Sequence, residues 1–270
     1  PGRLRPMLTL LVPLVGGWNL WYVAQGGGFE VALFDYQLEL LRADKLAMLF
    51  GILFHLATFL ACLYALHVRD RSQQVSSLLY AGGALGAVYA GDMITLFVAW
   101  EIMAVSSVFL IWARRTPRAS AAGMRYLIVQ ICSGLLLLTG ALLHISETGS
   151  PAFGPMGLNS LAGILVFVAF GIKCAFPLVH SWLTDAYPEA TPSGMVFLSA
   201  FTTKVAVYGL ARSYAGTEVL IYIGTAMAMF PIFFAVIEND LRRVLAFSLI
   251  NQVGFMVVGI GIGSELALNG

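Results

Sequence analysis

Three ionisable residues stand deep inside apolar runs of this chain: Glu101 within Gly91–Trp112, Lys173 near the end of a second run and Lys204 inside a third. A charge at the centre of a membrane-spanning helix costs about 2.5–3.5 kcal/mol on insertion scales, which about five to ten leucine-class residues must offset. Such a group usually faces the protein interior, finds a partner and marks an ion path. One acid and two bases can make a proton relay. Low-dielectric surroundings disfavour the charged form of a lysine and a nearby carboxylate favours it, so moving the carboxylate switches proton affinity. The plainer alternatives are a protonated Glu101 hydrogen-bonded between helices and a purely structural ion pair.

Lys173 lies just before Phe176–Pro177. Proline removes a backbone donor and clashes with the preceding turn, and interrupted membrane helices are tolerated where they line a cavity or are buried in protein. Such breaks form ion sites in transporters. A simple loop between two helices is the competing reading, because residues 177–192 are polar enough. His180, Asp185 and Glu189 fall in this region, with His180 and Asp185 as accessory relay candidates or ordinary surface residues. His55 reads as a hydrogen-bonded packing residue and His144 as an interfacial one. Asp92 is nine positions from Glu101, about 2.5 turns and about 13.5 Å along a helix, so it faces away and fits a helix N-cap. The Gly82–Gly86 spacing fits close helix packing.

The elements that must hold these residues are membrane spans. The chain of 270 residues is 59% hydrophobic and 11% charged, with a mean hydropathy of +0.86, which makes it an integral membrane protein. A net charge of +1 gives no case for nucleic acid. Cys62, Cys132 and Cys174 lie in apolar segments without CxxC spacing, so no disulfide, zinc or iron–sulfur site is expected. No haem-ligand pair and no GxGxxG after a strand is visible, so no cofactor is expected either, and a redox or hydrolytic site in this chain is disfavoured.

Apolar residues run continuously rather than alternating, which argues for an all-α polytopic helix bundle and against a barrel. About nine transmembrane helices are expected: Met7–Ala24, Ala43–His67, Val75–Ala90, Asp92–Trp112, Ala122–His144, Asn159–Cys174, Gly194–Arg212, Glu218–Ile237 and Val244–Ile262. A signal peptide is the alternative for the first, though no cleavage site follows it cleanly. Residues 25–42, opened by Gly26–Gly28 and carrying Asp35, read as a loop, as does the polar stretch Ser146–Leu158. The opening Pro1 suggests a processed or trimmed chain. With the N-terminus inside, Arg3, Arg5, Arg69, Arg71, Arg114, Arg115, Arg118, Arg242 and Arg243 all fall on the inner side, satisfying the positive-inside rule.

Several segments carry a family resemblance. FVAWEIMAVSSVFLI at 97–111 resembles the glutamate-bearing helix of the antiporter-like subunits of respiratory complex I (NADH:quinone oxidoreductase) and of Mrp-type multisubunit cation/proton antiporters. GIKCAFPLVHSWLTDAYPEATPSG at 171–194 is similar to that family's lysine-bearing broken helix and following loop. FTTKVAVYGLARSY at 201–214 is similar to its next lysine-bearing helix, and ENDLRRVLAFSLINQVGFMVVGIG at 238–261 to its Asp-Leu-Lys/Arg-Arg turn and subsequent helix. These matches occur in the family's order from about residue 44 onward. Thr184 and Tyr187 depart from it, standing where proline and histidine are common.

The resemblance implies an antiporter-like inverted-repeat fold with a broken helix in each repeat. It divides the chain into N-terminal spans (1–75), a first five-helix repeat (76–212) and the start of a second (213–270). The second repeat looks incomplete where the chain stops at Gly270, and family members usually carry one more N-terminal span. The resemblance further implies a buried Glu101–Lys173 pair with Lys204 as the next proton carrier. The expected activity is translocation of protons, or of sodium ions against protons, with the other membrane subunits of a larger complex as partners. The expected setting is a bacterial cytoplasmic (inner) membrane. A non-transporting structural or assembly subunit of the same fold is the alternative. If both lysines serve one relay, they should face the same internal polar region, with Glu101 nearer Lys173 and carbonyls freed by the helix break beside it.

Overall fold

The computed structural model describes residues 4–24, 28–33 and 36–269. Pro1, Arg3, Gly26, Asp35 and Gly270, together with the Arg5 side chain, lie outside the described residues. The helices are α1 (Leu4–Val23), α2 (Lys45–Tyr64), α3 (Arg71–Tyr89), α4 (Met93–Trp112), α5 (Pro117–Thr148) and α6 (Leu161–Cys174). The short α7 (Ser181–Ala186) follows, then α8 (Pro192–Ser213), α9 (Val219–Ile237), α10 (Leu241–Ile262) and α11 (Glu265–Asn269). Most long helices start where a side chain can satisfy free backbone N–H groups: Asp44 accepts from Ala47, Asp92 from Thr95, Thr116 from Ala119, Ser160 from Gly163 and Thr191 from Gly194. Asp92 is thus the helix cap its spacing suggested.

Six helices are long and apolar enough to cross a membrane, against nine expected spans. Two of the remaining three, Met7–Val23 and Leu161–Cys174, are shorter apolar helices. The third, α3, carries Ser72, Gln73, Gln74, Ser76 and Ser77 in its first turns, and Gln73 spends its amide on Ser193 Oγ at 2.5 Å in the interior. Outward faces stay apolar. Leu49, Leu53, Leu56 and Leu60 on α2 are all exposed, a pattern suited to lipid and costly in water. The interior is packed with aromatic edges, among them Phe54–Phe201 and Tyr80–Phe201, each with ring centroids below 5.5 Å.

The expected loop at 25–42 is corrected: it contains an antiparallel hairpin, β1 (Phe29–Leu33) and β2 (Tyr36–Leu41), paired Leu33↔Tyr36. Its second strand docks on the α3–α4 turn. Gly91 N–H donates to the Glu39 carbonyl (2.9 Å), and the Gly91 carbonyl accepts from Phe153 N–H (2.8 Å). Glycine suits this position, because a Cβ at residue 91 would push the Glu39 side chain aside. Arg42 reaches the Phe153 carbonyl (2.5 Å), and Arg212 pairs with Asp44 (2.7 Å), which closes this end of the bundle.

At the opposite end the basic turns gather. Arg115 pairs with Asp70, Arg114 with Glu189, and the guanidinium groups of both Arg114 and Arg242 donate to the Pro188 carbonyl. The turns that the charge pattern assigned to one side therefore do share one end of the fold.

Candidate functional site: a buried lysine beside an unpaired glutamate

Lys173 is 1% exposed and sits in the last turn of α6. Its ammonium donates to the Trp100 carbonyl (3.2 Å) and lies 3.9 Å from the centre of the Trp100 ring. A ring quadrupole attracts a desolvated cation by about 2 kcal/mol or more. The indole is fixed in turn: its Nε1–H donates to Ser133 Oγ (3.2 Å) on α5, and Ser133 donates to the Ala169 carbonyl (2.8 Å) on α6. Helices α4, α5 and α6 thus all contribute to the seat of Lys173.

Glu101 does not form the expected ion pair. Among the described residues no carboxylate lies within 4.0 Å of the Lys173 ammonium, although the two charges are near enough to interact. The reason is helical geometry. Trp100 points at Lys173, and the next residue is turned about 100° around the axis. The Glu101 carboxylate instead lies against Gly134 on α5, where any Cβ would collide with its Oε1. That Oε1 is buried without a hydrogen-bond partner. An unsatisfied buried acceptor of this kind costs about 1–3 kcal/mol, more when charged.

The break after Lys173 is real and compact. Ala175 (φ 62°) and Leu178 (φ 74°) both adopt left-handed conformations, which non-glycine residues rarely tolerate. Carbonyls released at the end of α6 are taken by protein groups: Gly171 accepts from Phe176 N–H (2.9 Å), and Ile172 accepts from both Ala175 N–H (3.1 Å) and Trp182 Nε1–H (2.9 Å). The expectation of open carbonyls beside Lys173 is therefore corrected at these two positions.

Lys204 occupies a separate place. Its ammonium donates to the Ser199 carbonyl (2.9 Å) on its own helix. It lines a cavity of about 490 Å³, with Tyr187, Ser199, Arg242 and Gln252 also in the wall and Lys173 absent from it. The two lysines do not share one open chamber.

The accessory candidates lie apart from the lysines. Asp185 is held in a two-pronged pair by Arg125 (2.8 and 3.0 Å) on α5, which fastens α7 in place. The His180 ring packs on Phe230 of α9 (centroids 4.7 Å), and its Nδ1 is buried without a partner. His55 is the packing residue expected, with Nδ1 bonded to the Gly51 carbonyl (2.7 Å). Gly82 has no atom near its Cβ direction, so the close approach expected of the Gly82–Gly86 pair falls instead at Gly83 and Gly86, against α4. Sequence reasoning missed Trp100, Gly134 and the fully buried Gln130. Trp100 had a signal in its position directly before Glu101.

A family model for the transmembrane region of NADH:quinone oxidoreductase and Mrp antiporter proteins matches residues 90–270. The chain is 26% identical over 317 residues to NAD(P)H-quinone oxidoreductase chain 4 of a Synechococcus strain, covering 99% of this chain and 60% of that protein. It is 31% identical over 287 residues to Na(+)/H(+) antiporter subunit A1 of Staphylococcus aureus, covering 96% of this chain and 34% of that protein. The chain thus spans well under two thirds of each relative's length. The fold matches a chain of the membrane-bound sulfane sulfur reductase, an archaeal respiratory membrane complex, with a TM-score of 0.82 at 23% identity, over 95% of this chain and 59% of that one. With more than half of its length matched by the family model, this integral membrane protein belongs to the NADH:quinone oxidoreductase/Mrp antiporter transmembrane family.

Proposed function

We propose that the chain is a proton-translocating, or cation/proton-translocating, membrane subunit of a larger complex. Glu101 and Lys173 form its first proton-exchanging group and Lys204 the next. The observation that carries this reading is the Lys173 ammonium, buried with only a carbonyl and an indole face for company. A structural bundle gains nothing from that arrangement, since an apolar side chain of similar volume packs there without desolvating a charge. The Glu101 carboxylate, held against Gly134 and not hydrogen-bonded, is free to approach or leave Lys173. Approach favours the ammonium and retreat favours proton release.

Residues 76–212 serve as the first repeat and the N-terminus faces inward, in keeping with the basic turns at one end. The relatives' designations as a chain and a subunit support membership of a multisubunit assembly, and their bacterial sources fit a bacterial membrane.

Glu101→Gln tests the reading, because it removes charge while nearly preserving shape. Proton translocation by the assembled complex in sealed vesicles should fall by at least about tenfold, in line with loss of a positioned proton-transfer group. Subunit content of the purified complex should be unchanged. Wild-type translocation would sink the relay. It would also favour the second reading, a structural or assembly subunit, which draws on the lack of a direct Glu101–Lys173 contact.

A further inference from the structure

An apolar groove of about 710 Å³ opens on the lipid-facing side of α3 and α4, and neither Lys173 nor Lys204 lines it. Gly82 and Gly86 form its floor, and nothing lies within 4 Å of where a Gly82 Cβ would stand. Its walls are Val75 and Leu79 of α3 and Val98 and Ile102 of α4, all exposed. Along α3 the stretch from Val75 to Gly86 measures about 16 Å, which matches one leaflet's half of the ~30 Å hydrocarbon core. The hairpin closes the far end: Val31, Leu38 and Leu40 line the groove where β2 docks on the α3–α4 turn. A spanning helix of a partner must cross the whole core, and the hairpin interrupts that course. A single hydrocarbon chain fits beneath it.

The two ends of the groove differ in charge. At the hairpin end Glu30 and Glu39 face each other in the strand register. At the other end α3 begins at Arg71. Arg71, Val75, Leu79, Gly82 and Gly86 follow one another at three- and four-residue spacings, so they share one stripe of the helix. Arg69 and Arg71 are exposed, and neither joins any ion pair among the described residues. The remaining charges at this mouth are already engaged: Arg115 holds Asp70, which also accepts from the Ser72 N–H. Three arginines against one aspartate leave the mouth positive. The Gln74 amide donates to the Val68 carbonyl (2.7 Å) and so steadies the turn that carries Arg69 and Arg71.

We propose that this groove is a binding site for an anionic phospholipid. One acyl chain lies along α3 from Val75 to Gly86, and the headgroup phosphate meets Arg71 and Arg69. The apolar walls hold the chain, and the arginines select the headgroup, because a guanidinium offers paired N–H donors that match phosphate oxygens. The acidic hairpin end would repel the same headgroup, which fixes the direction in which the lipid lies. The site is independent of the translocation reading, and the headgroup sits at the basic end whichever side of the membrane that end faces.

The test uses the native complex in phosphatidylcholine vesicles, with a small fraction of either phosphatidylglycerol or phosphatidylcholine carrying a photoreactive diazirine on its acyl chain. Labelled peptides are mapped by mass spectrometry. The phosphatidylglycerol probe should label residues 75–86 and 94–102 at least about fivefold more than the phosphatidylcholine probe, the scale of one arginine near a membrane surface. Arg69→Gln/Arg71→Gln should abolish that preference. Gly82→Leu projects into the groove rather than into protein, and should lower labelling by both probes several-fold with subunit content retained. Leu60→Phe, on the exposed face of α2, should leave labelling unchanged. If Gly82→Leu lowers subunit content, the arginine pair, at exposed positions, decides the matter. Equal labelling by the two probes, or a preference that survives Arg69→Gln/Arg71→Gln, would overturn the proposal. So would undiminished labelling in a fully assembled Gly82→Leu complex, or no labelling of 75–86 by either probe, the result expected of a partner subunit seated in the groove.

Discussion

The charge of Lys173 is answered by a carbonyl dipole and an indole face, while the nearby carboxylate stays uncommitted in a glycine notch. That arrangement makes two residue-scale predictions. Gly134→Ala fills the notch and must displace the Glu101 carboxylate. Alanine is favoured over glycine within a helix by about 1 kcal/mol, so thermal stability should hold or rise while translocation falls several-fold. Unchanged translocation with an intact complex would show that the notch plays no part. Trp100→Phe removes the bond to Ser133 and weakens the ring's hold on Lys173. It should lower unfolding stability by about 1–3 kcal/mol, read as an earlier thermal transition of the purified complex. Glu101, Lys173 and Lys204 were legible in the sequence because a charge in an apolar run is conspicuous. The notch was not, since Gly134 is one of 28 glycines and only a neighbouring helix gives it a role.

At the scale of elements, the broken helix was legible from Phe176–Pro177, but its left-handed residues, Ala175 and Leu178, carry no local signal for that conformation. The hairpin was missed although Tyr36, Leu38 and Leu40 alternate with polar Gln37 and Glu39, a two-residue period outweighed by the neighbouring glycines. Beyond the hairpin, Asp44 caps α2 and joins it to Arg212 and Arg42. Burial works against the Asp44 charge, but the Ala47 N–H and the two guanidinium groups outweigh it and hold the carboxyl below its ordinary value of 3.8. A carboxyl depressed on folding contributes stability above the unfolded value and loses it as pH falls through the folded one. Asp44→Ala should therefore cost about 1 kcal/mol near neutral pH, as a lost N-cap does. The deficit should shrink as acid protonates the wild-type group. A deficit that does not change with pH in thermal unfolding would rule out the charge as its source.

For the whole molecule, continuous apolar runs made the helix bundle readable, and the basic turns made its two ends readable. Of the nine expected spans, six are helices long and apolar enough to cross a membrane and two are shorter apolar helices; the ninth, α3, joins polar Gln73 to Ser193 of α8 while exposing Val75 and Leu79 outward. The end-to-end arrangement predicts sidedness. Ser72→Cys should react with an impermeant thiol reagent only from the inner side, and Ser150→Cys only from the outer side; the reverse pattern would invert the topology.

In the proposed relay, Glu101 and Lys173 act as one proton-exchanging unit without touching. Translocation rates of Glu101→Gln, Lys173→Met and the double variant, measured in sealed vesicles at matched subunit content, test it directly. Residues acting as a unit are non-additive, so the double variant should be no slower than the slower single variant. A double variant slower by the product of the two single effects, or either single variant at the wild-type rate, would contradict it.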